Sequence, residues 1–158
     1  MNQTAAASNV MYHGEGWAEA MGEACALAMD SIHVSALSIL PPTSNASGDW
    51  PELWRAWCAA SRRGVAVDIW LPSPNEKAPA TLGNGTAGRA IVDSGMNVHF
   101  VQGTRLLHAK TCVIDAATVW IGSGNFTAAA AHHNYEAYLE AHSQVIAQCL
   151  IERWQGLA

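Results

Sequence analysis

The residues able to do chemistry lie within 18 positions of this 158-residue chain. His108 and Lys110 stand two apart, Asp115 follows, and Gly122-Ser123-Gly124-Asn125 closes the segment as H-x-K-x4-D-x6-G-S-x-N. On a strand, residues two apart share a face, so His108 and Lys110 project together and Asp115 projects away from them. A neutral imidazole beside an ammonium suits attack on phosphorus: the imidazole is the nucleophile and the ammonium neutralises phosphate oxygens. Ser123 and Asn125 are expected at the start of a helix, where backbone N–H groups and small polar side chains can cradle an anion. Gly122 is expected to let the chain turn sharply at a strand end. Asp115, facing away, is expected to be structural. Lys110 is one of only two lysines in the chain, and a lysine in an apolar strand is costly unless it is used.

This spacing is the signature of the phospholipase D superfamily, and the chain resembles its single-motif, bacterial endonuclease-like branch. The likeness extends beyond the motif. Tyr12-His-Gly-Glu15-Gly, Ser31-Ile-His-Val, Arg63-Gly-Val-Ala-Val-Asp-Ile, Asp93-Ser-Gly95-Met-Asn-Val and the terminal Arg153-Trp154 all resemble that branch. A match at six fixed positions arises by chance in a chain of this length on the order of once in 10⁶.

The resemblance implies a phosphodiesterase that needs neither metal nor cofactor and acts in two steps. One histidine attacks phosphorus to form a phosphohistidine; a second protonates the leaving oxygen and then activates water. It also implies that Glu136, 28 residues after His108, bonds the nucleophilic imidazole and fixes its tautomer. The chain holds one motif: none of His13, His33, His99, His132, His133 and His142 is followed two residues later by lysine. The second histidine must then come from another copy, which implies a twofold homodimer with the site on its axis. A DNA endonuclease is the expected activity, DNA being favoured over RNA. The alternatives are a phospholipid phosphodiesterase, or a non-catalytic DNA-binding subunit of a larger system.

Bulk composition narrows the setting. Half the residues are hydrophobic and 13% are charged, enough apolar material for a real core. The net charge of −5 does not announce a nucleic-acid binder, although a local patch counts for more than the total. Arg89 and Arg105 are the candidate contacts to a substrate backbone, and the loop from Pro72 to Gly88 is the candidate border of the groove. Cys25, Cys58, Cys112 and Cys149 have no metal or redox spacing and are expected to be buried, reduced thiols. His132, His133, Glu136 and His142 cluster in sequence, but no pair has a recognised metal-ligand spacing, and no metal is expected. No basic and apolar leader or membrane span is visible, so a cytoplasmic protein without a membrane partner is expected; an exported form with its leader removed would look the same.

These residues need a scaffold. Residues 1–158 are read as one domain of α/β class, with a mixed, mostly parallel sheet flanked by helices on both faces. Helices are expected over Glu15–Asp30, Pro51–Arg63, Thr86–Ser94 and Ser143–Gly156, with a short one after Asn125. Strands are expected over Ser31–Leu40, Val65–Leu71, Asn97–Val101, His108–Asp115, Thr118–Gly122 and Tyr135–Ala141. Trp50, Trp54 and Trp57 fall on one helical stripe, which marks core or dimer contact before it marks a base-stacking platform.

Overall fold

The computed structural model describes residues 9–157. Its strands are β1 (Val10–His13), β2 (Ser31–Ser35), β3 (Ala66–Pro72), β4 (Asn97–Val101), β5 (Lys110–Ile114), β6 (Thr118–Gly122) and β7 (Ala137–His142). Its α-helices are α1 (Trp17–Ala26), α2 (Asp49–Arg62), α3 (Asn84–Asp93), α4 (Ala128–His132) and α5 (Gln144–Gln155). The strands form one sheet in the order β1-β7-β6-β5-β2-β3-β4.

The sheet is mixed, as the alternation of elements implied, but its balance is the reverse of the expected one. Only β2–β3 and β3–β4 are parallel; the other four pairings are antiparallel. The reason lies in the connections. A parallel step needs a crossover long enough to span the sheet, and here α2 and α3 supply two. The β5–β6 link is a tight turn, and the five-residue α4 is too short to carry the chain across, so β6 and β7 meet head to tail. Strand β1 has no counterpart in the sequence reading. It is a four-residue edge strand with no buried residue, so it lacks the half-buried alternation by which strands are recognised.

Helices cover both faces. On one, α1, α2, α3 and α4 close over Ile32, Val34, Val67, Ile69, Cys112, Ile114, Trp120 and Tyr138. On the other, Ala147 and Ile151 of α5 pack on Val113 and Val119, and Trp154 packs with Trp70, Val101 and Leu107. The tryptophan stripe is core: Trp50, Trp54 and Trp57 are buried, and Trp50 and Trp57 flank Phe126. Trp17 stacks on Tyr138 with centroids 4.3 Å apart. Three cysteines are buried as expected, Cys25 lying 3.9 Å from Cys112. Cys149 departs from that expectation and is exposed on α5. Among the described residues, no helix is long and apolar enough to cross a membrane.

Asp115 ties the turn after β5 to the start of β2. Its carboxylate accepts backbone N–H bonds from Met29 (2.9 Å), Asp30 (2.8 Å) and Ser31 (3.0 Å). Both Asp115 and Ala116 have positive φ (50° and 49°), a conformation that aspartate tolerates better than most residues. Burial pushes the Asp115 carboxyl up, but the three backbone donors outweigh it and hold it below the usual carboxylate range. Asp115→Asn should therefore lower stability by about 1–3 kcal/mol in urea unfolding, since charge-assisted bonds are lost. The wild type's advantage should be complete above the unfolded-state value of about 3.9 and vanish as pH falls through the lower folded-state value. An equal stability of the two proteins at neutral pH would contradict this role.

Candidate active site

Strand β5 starts at Lys110, so His108 lies in the segment that enters it and not on the strand itself. That segment is anchored by Leu107, whose side chain is buried against Trp70, Val101 and Trp154. His108 is exposed just beyond this anchor. Lys110 is 4% exposed, with its ammonium folded back on His108. Nζ donates to the His108 carbonyl oxygen at 2.7 Å and lies 2.9 Å from Nδ1 and 3.3 Å from Nε2. An ammonium can only donate, so the ring nitrogen it meets must carry a lone pair. The side chains of His108 and Lys110 meet, as read from their spacing, though His108 stands in the segment ahead of β5 instead of on a continuous strand.

Lys110 pairs in register with Gly122, and Gly122 with Tyr138. The glycine is needed here for a reason other than a turn. Its φ is not positive, but a Cβ would fall 2.6 Å from the Ala137 carbonyl oxygen and inside van der Waals contact of the Tyr138 ring. The Tyr138 hydroxyl donates to the Gly124 carbonyl. Tyr138 thus clamps the Gly122–Gly124 segment from beneath, a role that no motif position signalled.

Ser123 and Asn125 precede α4 and do not start it; Thr127 is the cap, accepting from the Ala130 N–H at 3.2 Å. The expected backbone anion cradle is therefore not formed as read. The Ser123 N–H is spent on the Ala137 carbonyl at 3.1 Å. The side chains carry the polar surface instead. The Asn125 Oδ1 accepts from the Ser38 N–H at 3.3 Å, which aims its amide while leaving the NH₂ donors unengaged among the described residues. The Ser123 hydroxyl donates to Glu136 and accepts from the Ala137 N–H at 3.1 Å.

Glu136 is held by Ser123 and by Asn134 Nδ2 at 3.0 Å, and Asn134 is a contact that sequence reading missed. No hydrogen bond joins Glu136 to His108 within the protomer among the described residues. Glu136 does act on Lys110: burial lowers the lysine's pKa, and the carboxylate's field opposes that shift. His142 turns to Thr118 Oγ1 at 3.1 Å and lies 3.7 Å from Glu140, while His132 and His133 are exposed at the end of α4. Among the described residues, no three histidine, cysteine or acidic groups gather as a metal site.

His108 borders a cavity of about 430 Å³ lined by the segment from Val101 to Ala109 and by the end of α5. Arg105 lines it. Arg89 does not: it sits on α3 and donates to Thr86 at 3.2 Å. The start of the proline-bearing loop, Pro72 to Asn75, borders a second cavity of about 240 Å³, which shares Arg105 and Leu106 with the first.

A mixed sheet that presents one such histidine–lysine pair beside a serine, an asparagine and a glutamate defines a phospholipase D-like hydrolase of the single-motif kind. The family model described as cardiolipin synthase, PLD-like domain, matches residues 26–157, and the chain belongs to this family. Among solved structures it is similar to a phospholipase D family member, Nuc, from Salmonella typhimurium. The identity is 25% over 95% of this chain and 94% of that one, with a TM-score of 0.72. It is also similar to NucT from Helicobacter pylori, at 17% identity over 96% of each chain and a TM-score of 0.75. Phosphatidylserine synthase from Haemophilus influenzae shares the fold at 14% identity and a TM-score of 0.69, matching 96% of this chain and 38% of its own. No curated protein matches.

Two outcomes follow from this geometry. Gly122→Ala should cost about 1–3 kcal/mol in urea unfolding, because the methyl must displace Tyr138 or the β7 backbone; unchanged stability would show that the clamp yields freely. Phosphate binding should require charged Lys110. Because its pKa is lowered in the folded protein, inhibition by inorganic phosphate should be strong at low pH and weaken as pH rises toward, but below, the free-lysine value of about 10.4. A limb at or above that value would mean that the ammonium is fully solvated.

Proposed function

We propose that this chain is a metal-independent DNA endonuclease that works as a homodimer through a phosphohistidine intermediate. The observation that carries the reading is the contact of the Lys110 ammonium with the ring nitrogens of His108 at the edge of a cavity. It joins a nucleophile to the cation that its phosphate target requires.

In this mechanism the His108 tautomer that carries its proton on Nδ1 attacks phosphorus through Nε2 once Lys110 has left the ring. The N–P bond forms as the P–O bond to the leaving nucleoside breaks, and His108 of the partner subunit gives that oxygen its proton. The now neutral imidazole of the partner then takes a proton from water. The resulting hydroxide attacks phosphorus, the N–P bond breaks, and a phosphate monoester leaves. Lys110 and the Asn125 amide hold the non-bridging oxygens, whose added negative charge in each transition state strengthens those bonds. Glu136, fixed by Ser123 and Asn134, is the carboxylate that orients the imidazole once phosphate draws Lys110 from the ring. One motif per chain supports the dimer. So does the rim of the site, where Tyr135 is exposed beside Glu136 and a second copy would cover it.

The family description names cardiolipin synthase, which keeps a phospholipid phosphodiesterase as the second reading. The deciding experiment is cleavage of plasmid and single-stranded DNA in excess EDTA. The dimer should cleave, and His108→Ala should lose about 10³-fold or more, as expected for removal of a nucleophile. Hydrolysis of phospholipid vesicles with no DNA cleavage would replace the nuclease reading with the lipid one. Loss of activity in EDTA, restored by a divalent metal, would overturn the metal-free chemistry.

A further inference from the structure

Arg153 lies in the last turn of α5, remote in sequence from the motif. It lines the same cavity as His108, together with Trp154 and Leu157. Arg105 reaches that cavity from the loop between β4 and β5 and also lines the adjoining one. Two of the chain's six arginines thus border one opening, in a protein of net charge −5. No aspartate or glutamate lines either cavity. The contrast within the molecule is clear: the groove between α1 and α2 is lined by Glu19, Glu23, Asp49 and Glu52 against a single Arg55.

Both arginines are exposed, and among the described residues neither has an ion-pair or hydrogen-bond partner. Arg55, by comparison, is engaged by Glu52 at 2.6 Å. A cation at a helix C-terminus is favoured by the helix dipole, which accounts for Arg153 alone. It does not account for a second unpaired arginine from a different element on the same cavity. The walls between them are apolar or neutral, with Leu106, Leu107, Trp154 and Thr104 among them. Two guanidinium groups around a carboxylate-free opening that ends at the nucleophile form a track for an anion longer than one phosphate.

We infer that Arg105 and Arg153 hold the phosphates that flank the scissile one, so that the substrate is a polynucleotide strand laid along the Val101–Ala109 segment and the end of α5. This rests on the nuclease reading. It places the strand away from α3, where Arg89 sits. The two arginines bind and position; they do not take part in bond breaking. Their contribution is therefore absent for a substrate with a single phosphodiester.

The test compares steady-state cleavage of a single-stranded DNA oligonucleotide with that of bis(p-nitrophenyl) phosphate, using the intact dimer. For Arg153→Ala and for Arg105→Ala, KM for the oligonucleotide should rise roughly three- to tenfold at 50 mM salt, with kcat little changed. The slope of log affinity against log salt should shrink by about 0.7 for each contact removed. Turnover of bis(p-nitrophenyl) phosphate should stay at the wild-type level, and Arg153→Lys should retain the salt slope that Arg153→Ala loses. Equal losses on both substrates would overturn the inference, because they would assign the arginines to folding or to the reaction centre. Unchanged oligonucleotide kinetics in both variants would overturn it as well. A wild type that hydrolyses bis(p-nitrophenyl) phosphate but cuts no DNA would bring down the nuclease reading and this inference with it, a pattern distinct from either of those.

Discussion

The ammonium of Lys110 is the group that the structure must accommodate at a cost. It is almost wholly buried, and a buried charge is tolerated only where its donors are satisfied. Its partners come from two residues earlier, through the His108 carbonyl and ring. His108 lies in the irregular segment ahead of β5 and is exposed there. The Glu136 carboxylate adds a favourable field without a direct ion pair. A full salt bridge would hold the lysine more firmly than its contact with the imidazole does.

The rest of the site is set by packing from below. Trp17, Trp50, Trp57, Phe126 and Tyr138 form a continuous aromatic cluster beneath the sheet. Phe126 immediately follows Asn125, and Tyr138 lies against Gly122 and Gly124. The segment that carries Ser123 and Asn125 is thus pinned at both ends by buried rings. Rings of this size bury much area and have few accessible rotamers, so a polar loop with little regular structure of its own is held in one position. Asp115 does similar work at the other end of the β5–β6 hairpin, where it fastens the turn to the start of β2.

Charge is arranged locally. The protein is acidic overall, yet four of its carboxylates line the α1–α2 groove while two arginines, unpaired among the described residues, border the opening at His108. A field of one sign focused in a cleft concentrates a ligand of the other sign, whatever the net charge of the molecule. The total charge was therefore a poor guide to the site.

What the sequence determined by itself was the superfamily. The spacing of His108, Lys110, Asp115, Ser123 and Asn125, with one copy per chain, was enough to assign the superfamily, because strand and turn geometry keep residues so close in sequence close in space. The major helices and six of the seven strands were legible from their apolar periodicity, and Ser143 from its capping chemistry. The tertiary structure decided what depends on distant partners. It set the predominantly antiparallel pairing, since strand direction follows from which connections cross the sheet. It gave Gly122 its role, since the constraint is a tyrosine on a neighbouring strand and not a local turn. It spent the Ser123 N–H on β7 in place of an anion cradle, and it turned Glu136 toward Ser123 and Asn134. It also brought Arg153 to the cavity that His108 borders. No local spacing encodes that proximity, because it arises only when α5 folds back and buries Trp154 against Trp70.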